Sequence, residues 1–314
     1  YGLAVNALDA EAVRRVFAIK GRPTHNPVIV HVADRVMARR SVAVWPEAAE
    51  GLARAFWPGP LTFVLPKAED FPAEVTAGGA TVGIRWPSHP FMQEVIRRCG
   101  FPLAAPSANL SAQTSPTRAD HVLRSLEGRV ALIVDGGPCN IGIESTVLDL
   151  TVAPPRVLRP GMVHEPALTA VIGGIEADTT TAGTGTLKSP GRLARHYAPG
   201  TPLFVTRWED GRDLDRQLRE RFSRLDCGTS LAEASPFDVC VIAHTRIPSS
   251  GGYVRVSVVP HEPTAYARAL YAELHACDEL RSRLIVVEGV PGTPEWQGIA
   301  DRLTRAASEA DAPK

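Results

Sequence analysis

The sequence predicts an α/β protein of two layered domains, and three observations predict it. Short apolar runs alternate with helix-like patterns through the first half of the 314 residues. A stretch poor in apolar residues and rich in Thr and Gly, "GGIEADTTTAGTGTLKSPG" (173–191), interrupts the pattern as a linker would. Past about residue 200 the alternation resumes on a smaller scale.

Taken in order, Asp9 is placed to cap a helix whose Val13, Val16 and Phe17 share a face. "VIVHV" (28–32) reads as a strand, and "PEAAEGLARAF" (46–56) as a helix with Pro46 in its first turn. "LTFVL" (61–65) and "TVGIR" (81–85) are strands, "PFMQEVIRRC" (90–99) a helix, and "PLAAP" (102–106) a short extended piece. Thr117 is expected to cap the helix that carries Val122, Leu123 and Leu126, with Asp120 as its capping-box acid. "ALIVDGG", "STVLDL" and "RVLRPG" then read as strands that close a first domain over 1–165. Residues 166–200 read as a linker or lid, and 201–314 as a second, smaller α/β domain. In it, "LFVT", "DVCVIA" and "LIVVEGV" are strands, while "PTAYARALYAELHACDEL" and "IADRLTRAAS" are helices.

Lys and Arg together number 34, as do Asp and Glu, so the whole molecule has no general pull on nucleic acid or a membrane surface. Any anion site must be a local cluster. Cys99, Cys139, Cys227, Cys240 and Cys277 lie far apart without a CxxC pair, against a zinc site or a disulfide framework. No apolar run is long enough to span a bilayer and no signal-peptide pattern opens the chain, so a cytoplasmic protein is expected. The chain opens on "YGLAVNA" without a methionine, and its first strand is expected to be incomplete.

Lys20 and Arg22 flank a glycine in "KGRPTHNP", an arrangement that suits a phosphate or carboxylate and equally a solvated basic turn. His31 lies in the strand that follows, as a ligand contact or a satisfied strand histidine. Arg85 ends "TVGIR", where a carboxylate clamp or a rim salt bridge would sit. "APSANLSAQTSPT" (105–117) offers Ser107, Asn109, Ser111, Ser115 and Thr117 between a strand and a helix, for phosphates or for turns and caps. Ser145 and Arg159 stand at further strand ends. The chain has no GxxxxGK[ST], GxGxxG or GxSxG, which disfavours P-loop, dinucleotide-binding and α/β-hydrolase readings.

In order and spacing, "YGLA", "KGRPTHNPVIVHV", "WPGPLTFVL", "TVGIRWPSHP", "APSANLSAQTSPT", "IESTVLDL" and "VLRPG" resemble the Sua5/YrdC/YwlC family of threonylcarbamoyl-AMP synthases. "SPGRLARHYAP", "AYARALYAELHACDEL" and "IADRLTRAA" resemble its two-domain Sua5 branch, so the resemblance spans nearly the whole chain. It implies a YrdC-like twisted open sheet joined by a linker to a Rossmann-like domain. The implied reaction condenses L-threonine, bicarbonate or CO₂, and ATP to threonylcarbamoyl-AMP and pyrophosphate, with Mg²⁺ assisting. A separate tRNA threonylcarbamoyltransferase complex would take the product to adenosine 37 of tRNA. The resemblance puts Lys20, Arg22, Asn26, Thr81, Ser107, Asn109, Ser115, Arg159 and Tyr197 on the ATP side, with Lys20 and Arg22 as the catalytic cations. It puts His31, Arg85, the backbone of Ala105, and Ser145 on the threonine side and assigns no metal ligand; an unperturbed imidazole pKa near 6.5 separately offers His31 as a proton acceptor. Arg195, His196 and Tyr197 would fold over the cleft as a lid.

Two departures stand out: the family's "PTET"-like stretch before "YG" is absent, and Ala112 replaces a glycine. Rival readings are an RNA-binding module without catalysis, for which 17 Lys and Arg against 14 Asp and Glu in residues 1–164 is a weak excess, and a hydrogenase-type carbamoyl-transferring maturation domain, whose zinc-finger cysteines are missing.

Overall fold

In the computed structural model, residues 1–177, 190, 196–225, 238–249 and 252–307 are described. The first domain runs β1 (Val5–Asn6), α1 (Ala10–Lys20), β2 (Val30–His31), α2 (Arg35–Arg40), α3 (Glu47–Phe56), β3 (Leu61–Pro66), α4 (Ala73–Thr76), β4 (Thr81–Arg85), α5 (Pro90–Cys99), β5 (Leu103–Ala104), α6 (Ala119–Leu126), β6 (Thr146–Asp149), β7 (Arg156–Arg159), α7 (Glu165–Ile172) and β8 (Glu176–Ala177). Its strands form one mixed sheet in the order β1-β5-β2-β4-β3-β6-β7-β8. The second runs β9 (Leu203–Thr206), α8 (Gly211–Leu225), β10 (Val239–Ala243), β11 (Arg255–Val258), α9 (Pro263–Glu279), β12 (Leu284–Glu288), a 3₁₀ turn (Pro294–Trp296) and α10 (Gln297–Ala306).

Local chemistry sets the elements that matter for the site. Asp9 caps α1 by accepting the N–H groups of Glu11 and Ala12, and Val13, Val16 and Phe17 bury one face. In β4 the pleat sends Val82 and Ile84 into the main core and leaves Thr81, Gly83 and Arg85 on the opposite face. That face is floored by Ile29, Val64, Val147 and Leu158, a small apolar cluster of its own. A Cβ at Gly83 would make only ordinary contact with Thr62 and Ile29, at 3.4 and 3.6 Å.

The second sheet is all parallel in the order β11-β10-β12-β9. Trp208, Leu214, Leu218 and Phe222 cover one face, and the apolar sides of α9 and α10 the other. Burial on both faces explains why "VCVIA" and "LIVVE" read as unbroken apolar runs. The Rossmann-like second domain is therefore present as the resemblance implies. Among the described residues no helix is long and apolar enough to cross a membrane.

Three expectations differ from the structure. "ALIVDGG" is not a strand; among the described residues no strand pairs with it, and Leu132 is 79% exposed. Thr117 does not cap α6, whose N-cap is Arg118; its N–H instead donates to His121 Nδ1, and Asp120 pairs with Arg118 and Arg124. Residues 166–200 begin with most of α7, anchored by buried Leu168, and with β8, which pairs with β7, so the first sheet reaches into that segment.

Candidate functional site

α1 stops at Gly21, whose φ of 58° lies in the left-handed region that glycine adopts without steric cost. The turn carries Lys20 and Arg22 inward, and both are buried. Lys20 Nζ donates to the carbonyl of Ser107 at 2.5 Å and to that of Asn109. Arg22 donates from Nε to the Asn26 carbonyl at 3.1 Å, and from Nη2 to Asn26 Oδ1 at 2.8 Å and the Pro27 carbonyl at 2.7 Å. A solvated basic turn is excluded.

The strands supply the rest. Parallel pairing of β2 with β4 sets His31 beside Arg85, whose Nε donates to the Gly59 carbonyl at 2.9 Å. Arg159, at the end of β7, donates to the Ser145 carbonyl from Nε at 3.1 Å and Nη2 at 2.9 Å, and to Ser145 Oγ at 3.1 Å. Ser145 Oγ also lies 2.7 Å from Thr62 Oγ1. The N–H of Ala105 donates to the Ile29 carbonyl at 3.1 Å, leaving its carbonyl as the backbone group it can present.

Lys20, Arg22, Arg85 and Arg159 donate to carbonyls, a hydroxyl and an amide; among the described residues none forms an ion pair with a carboxylate, and only the charge of Arg159 is felt by one, Glu144. Buried charge without a counter-ion is costly, and the ionisation equilibria register it. Burial, with the charge of Arg22, lowers Lys20 to about 7. Burial, with Arg159 adding to it, lowers Arg22 and Arg85 to about 10 each. His31 falls to about 3 through burial and the neighbouring Arg85. Burial and Arg85 thus make His31 a weaker base than an ordinary histidine and keep it neutral near pH 7. Asn26 Nδ2, His31 Nδ1, Asn109 Oδ1 and Tyr197 OH are buried polar atoms without a hydrogen-bond partner among the described residues. The cleft thus combines unanswered positive charge with unfilled donors and acceptors.

Tyr197 adopts a φ of 62°, and its neighbour Ala198 bridges to the 105–117 loop: Ala198 N–H donates to Ala112 and Thr114 N–H to Ala198. The ring stacks on Tyr271 at 6.0 Å and lies 5.1 Å beneath the Arg302 guanidinium, within the second domain's core. Arg192 and Arg195 lie outside the described residues. Thr81 shares the cleft face with Arg85 but stands four residues away, roughly 13 Å along the strand. Ser115 is buried, its hydroxyl committed to Glu144 at 2.7 Å.

Glu144 was missed from the sequence, as were Arg302, Tyr271 and Thr62. Burial acts to raise the Glu144 carboxyl, but Arg302 and Arg159 hold it down at about 2. The available signal was Arg302 itself, an arginine on the face of "IADRLTRAA" that also carries Ile299, Leu303 and Ala306.

Fold and site define a two-domain α/β protein whose second domain, all parallel, packs against a cationic cleft in the first. A family model described as "Telomere recombination", that of the Sua5, YciO and YrdC proteins, matches residues 1–161, and one for the threonylcarbamoyl-AMP synthase C-terminal domain matches 163–308. The chain belongs to this family, in its two-domain threonylcarbamoyl-AMP synthase branch. It is 39% identical to the threonylcarbamoyl-AMP synthase of Bacillus subtilis, over 98% of this chain and 86% of that protein. Identity to the Pyrococcus abyssi enzyme is also 39%, over 98% and 87%. A structure of P. abyssi Sua5 complexed with L-threonine matches with a TM-score of 0.86 at 36% identity, over 98% of this chain and 87% of that one.

Proposed function

We propose that this chain is an L-threonylcarbamoyladenylate synthase. The observation that carries the reading is the cleft's four cations, three buried and Arg85 half-buried, with no carboxylate ion-paired to them among the described residues, a deficit that a triphosphate and an amino-acid carboxylate would fill together. The threonine-bound P. abyssi relative supports the amino-acid half.

In the reaction the threonine amine attacks CO₂, supplied by bicarbonate with loss of water, and gives a carbamate. A carbamate oxygen then attacks the α-phosphorus of ATP, and pyrophosphate leaves. The carbamate and the triphosphate it attacks are both anions. Lys20, Arg22 and Arg159 would lower their mutual repulsion and stabilise charge on the leaving pyrophosphate. Asn26, Ser107, Asn109 and Ser115 would shape the nucleotide side, with Thr81 at its remote end and Tyr197 sealing it. Arg85 would hold the threonine carboxylate as a fork, beside Ser145 and the Ala105 carbonyl. Neutral His31 would orient the amine. Positioning supplies at most about 7–11 kcal/mol in such reactions, and no covalent nucleophile is needed.

Magnesium fits no protein cage: among the described residues no three His, Cys, Asp or Glu groups are arranged to hold a metal, and Glu144 is already engaged. A magnesium ion would arrive on the phosphates, and no step is derived through it. The product, a reactive mixed anhydride, would pass to a tRNA threonylcarbamoyltransferase complex in the cytoplasm, a compartment that suits the free thiols of Cys99, Cys139, Cys240 and Cys277. Because the cleft's cations are buried or half-buried rather than spread over a surface, the arrangement disfavours the RNA-binding alternative.

Pyrophosphate release from ATP and bicarbonate tests the reading. Release should require L-threonine; release that ignores it would overturn the reading.

A further inference from the structure

Glu144, one residue before Ser145, collects four donors on a single buried carboxylate. Oε1 accepts the Tyr1 hydroxyl and Ser115 Oγ, the latter at 2.7 Å. Oε2 accepts the Tyr271 hydroxyl at 3.0 Å and Arg302 Nε at 2.7 Å. Tyr1 and Ser115 belong to the first domain, while Tyr271 and Arg302 come from α9 and α10 of the second. Arg302 also reaches the Pro160 carbonyl from Nη2 at 3.1 Å.

Two close backbone approaches flank this knot. A Cβ at Gly142 would lie 2.2 Å from the Ala267 carbonyl oxygen on α9, and one at Gly298 on α10 would lie 2.9 Å from Gly161 Cα. Glycine at both places lets the second domain's helices rest against the backbone at either end of the 142–161 segment. That segment contains Ser145 and Arg159.

We propose that Glu144 is a positioning residue through which the second domain sets the geometry of both ligand sides. It holds Ser145, and with it Arg159, through the chain, and it holds Ser115 through the hydroxyl. The inference rests on the ligand assignment above. A carboxylate with donors on both oxygens has little freedom to turn. Loss of one donor from the second domain frees it, and Ser145 and Ser115 drift together. The second domain is then a wall of the synthase site rather than a separate module.

The test measures L-threonine and ATP dissociation constants by calorimetry on the full chain, together with melting temperatures. Tyr271→Phe deletes one hydroxyl and should weaken both ligands by roughly threefold to tenfold. Leu274→Val, on the same buried face of α9, removes core volume and no hydrogen bond to Glu144. It should lower the melting temperature and leave both constants unmoved. Unchanged constants for Tyr271→Phe, or an equal shift for Leu274→Val, would overturn the proposal. A wild-type chain that binds neither ligand would overturn the ligand reading on which the proposal rests.

Discussion

Lys20 concentrates the tension in the site: an ammonium group buried beside Arg22 and satisfied, among the described residues, by the Ser107 and Asn109 carbonyls. Its pKa of about 7, against the ordinary 10.5, means that between those values the unfolded chain keeps a proton the folded one has released. Without ligand, stability from this group therefore rises with pH across that window. A polyanion reverses the local balance by drawing the proton back. ATP binding should accordingly weaken from pH 7.5 to 8.5, approaching tenfold per unit, above the last ionisation of a phosphate. Calorimetry in buffers of different ionisation enthalpy should register proton uptake on binding. Lys20→Met should flatten the pH dependence; a slope that persists in that variant would assign the proton elsewhere. The same physics demotes His31, which a reading by residue type offered as a base and which burial beside Arg85 leaves neutral.

The 105–117 loop shows what an element adds to its residues. Ala112 holds a φ of 67°, a conformation that costs a residue with a Cβ on the order of 1 kcal/mol. Its carbonyl accepts the Ala198 N–H at 2.9 Å, so the strain is held where the second domain's leading segment docks. Ala112→Gly should stabilise the protein by about 1 kcal/mol in urea unfolding; destabilisation would show that the loop is not strained. The sequence reading identified this position as a departure but not its sign, since a φ above zero depends on what the loop packs against. Long periodic segments such as α1, α5 and α9 were legible because one face of each must be buried. "ALIVDGG" was not, because an apolar run becomes a strand only beside a partner, and Leu132 and Val134 have none to shield them.

At the scale of the molecule, zero net charge conceals a strong local asymmetry. Four cations face one cleft, and the Glu144 carboxylate, which feels the charge of Arg159, is occupied by donors from both domains. Most cleft residues could be located in advance because their motifs follow one another along the first domain. The contributions of Arg302 and Tyr271 could not, since they lie 158 and 127 residues from Glu144 and meet it only when the second domain docks. Their pairing belongs to the assembly of two cores, which local pattern does not encode. Under the proposed function, that assembly is one receptor for ATP and threonine that joins them through a carbamate. The most direct test supplies carbon-labelled bicarbonate with ATP and L-threonine to the full chain and follows the label. It should enter a labile adenylate, with one pyrophosphate released per carbon incorporated, and only when threonine is present. Pyrophosphate released while the label stays in bicarbonate would contradict the account.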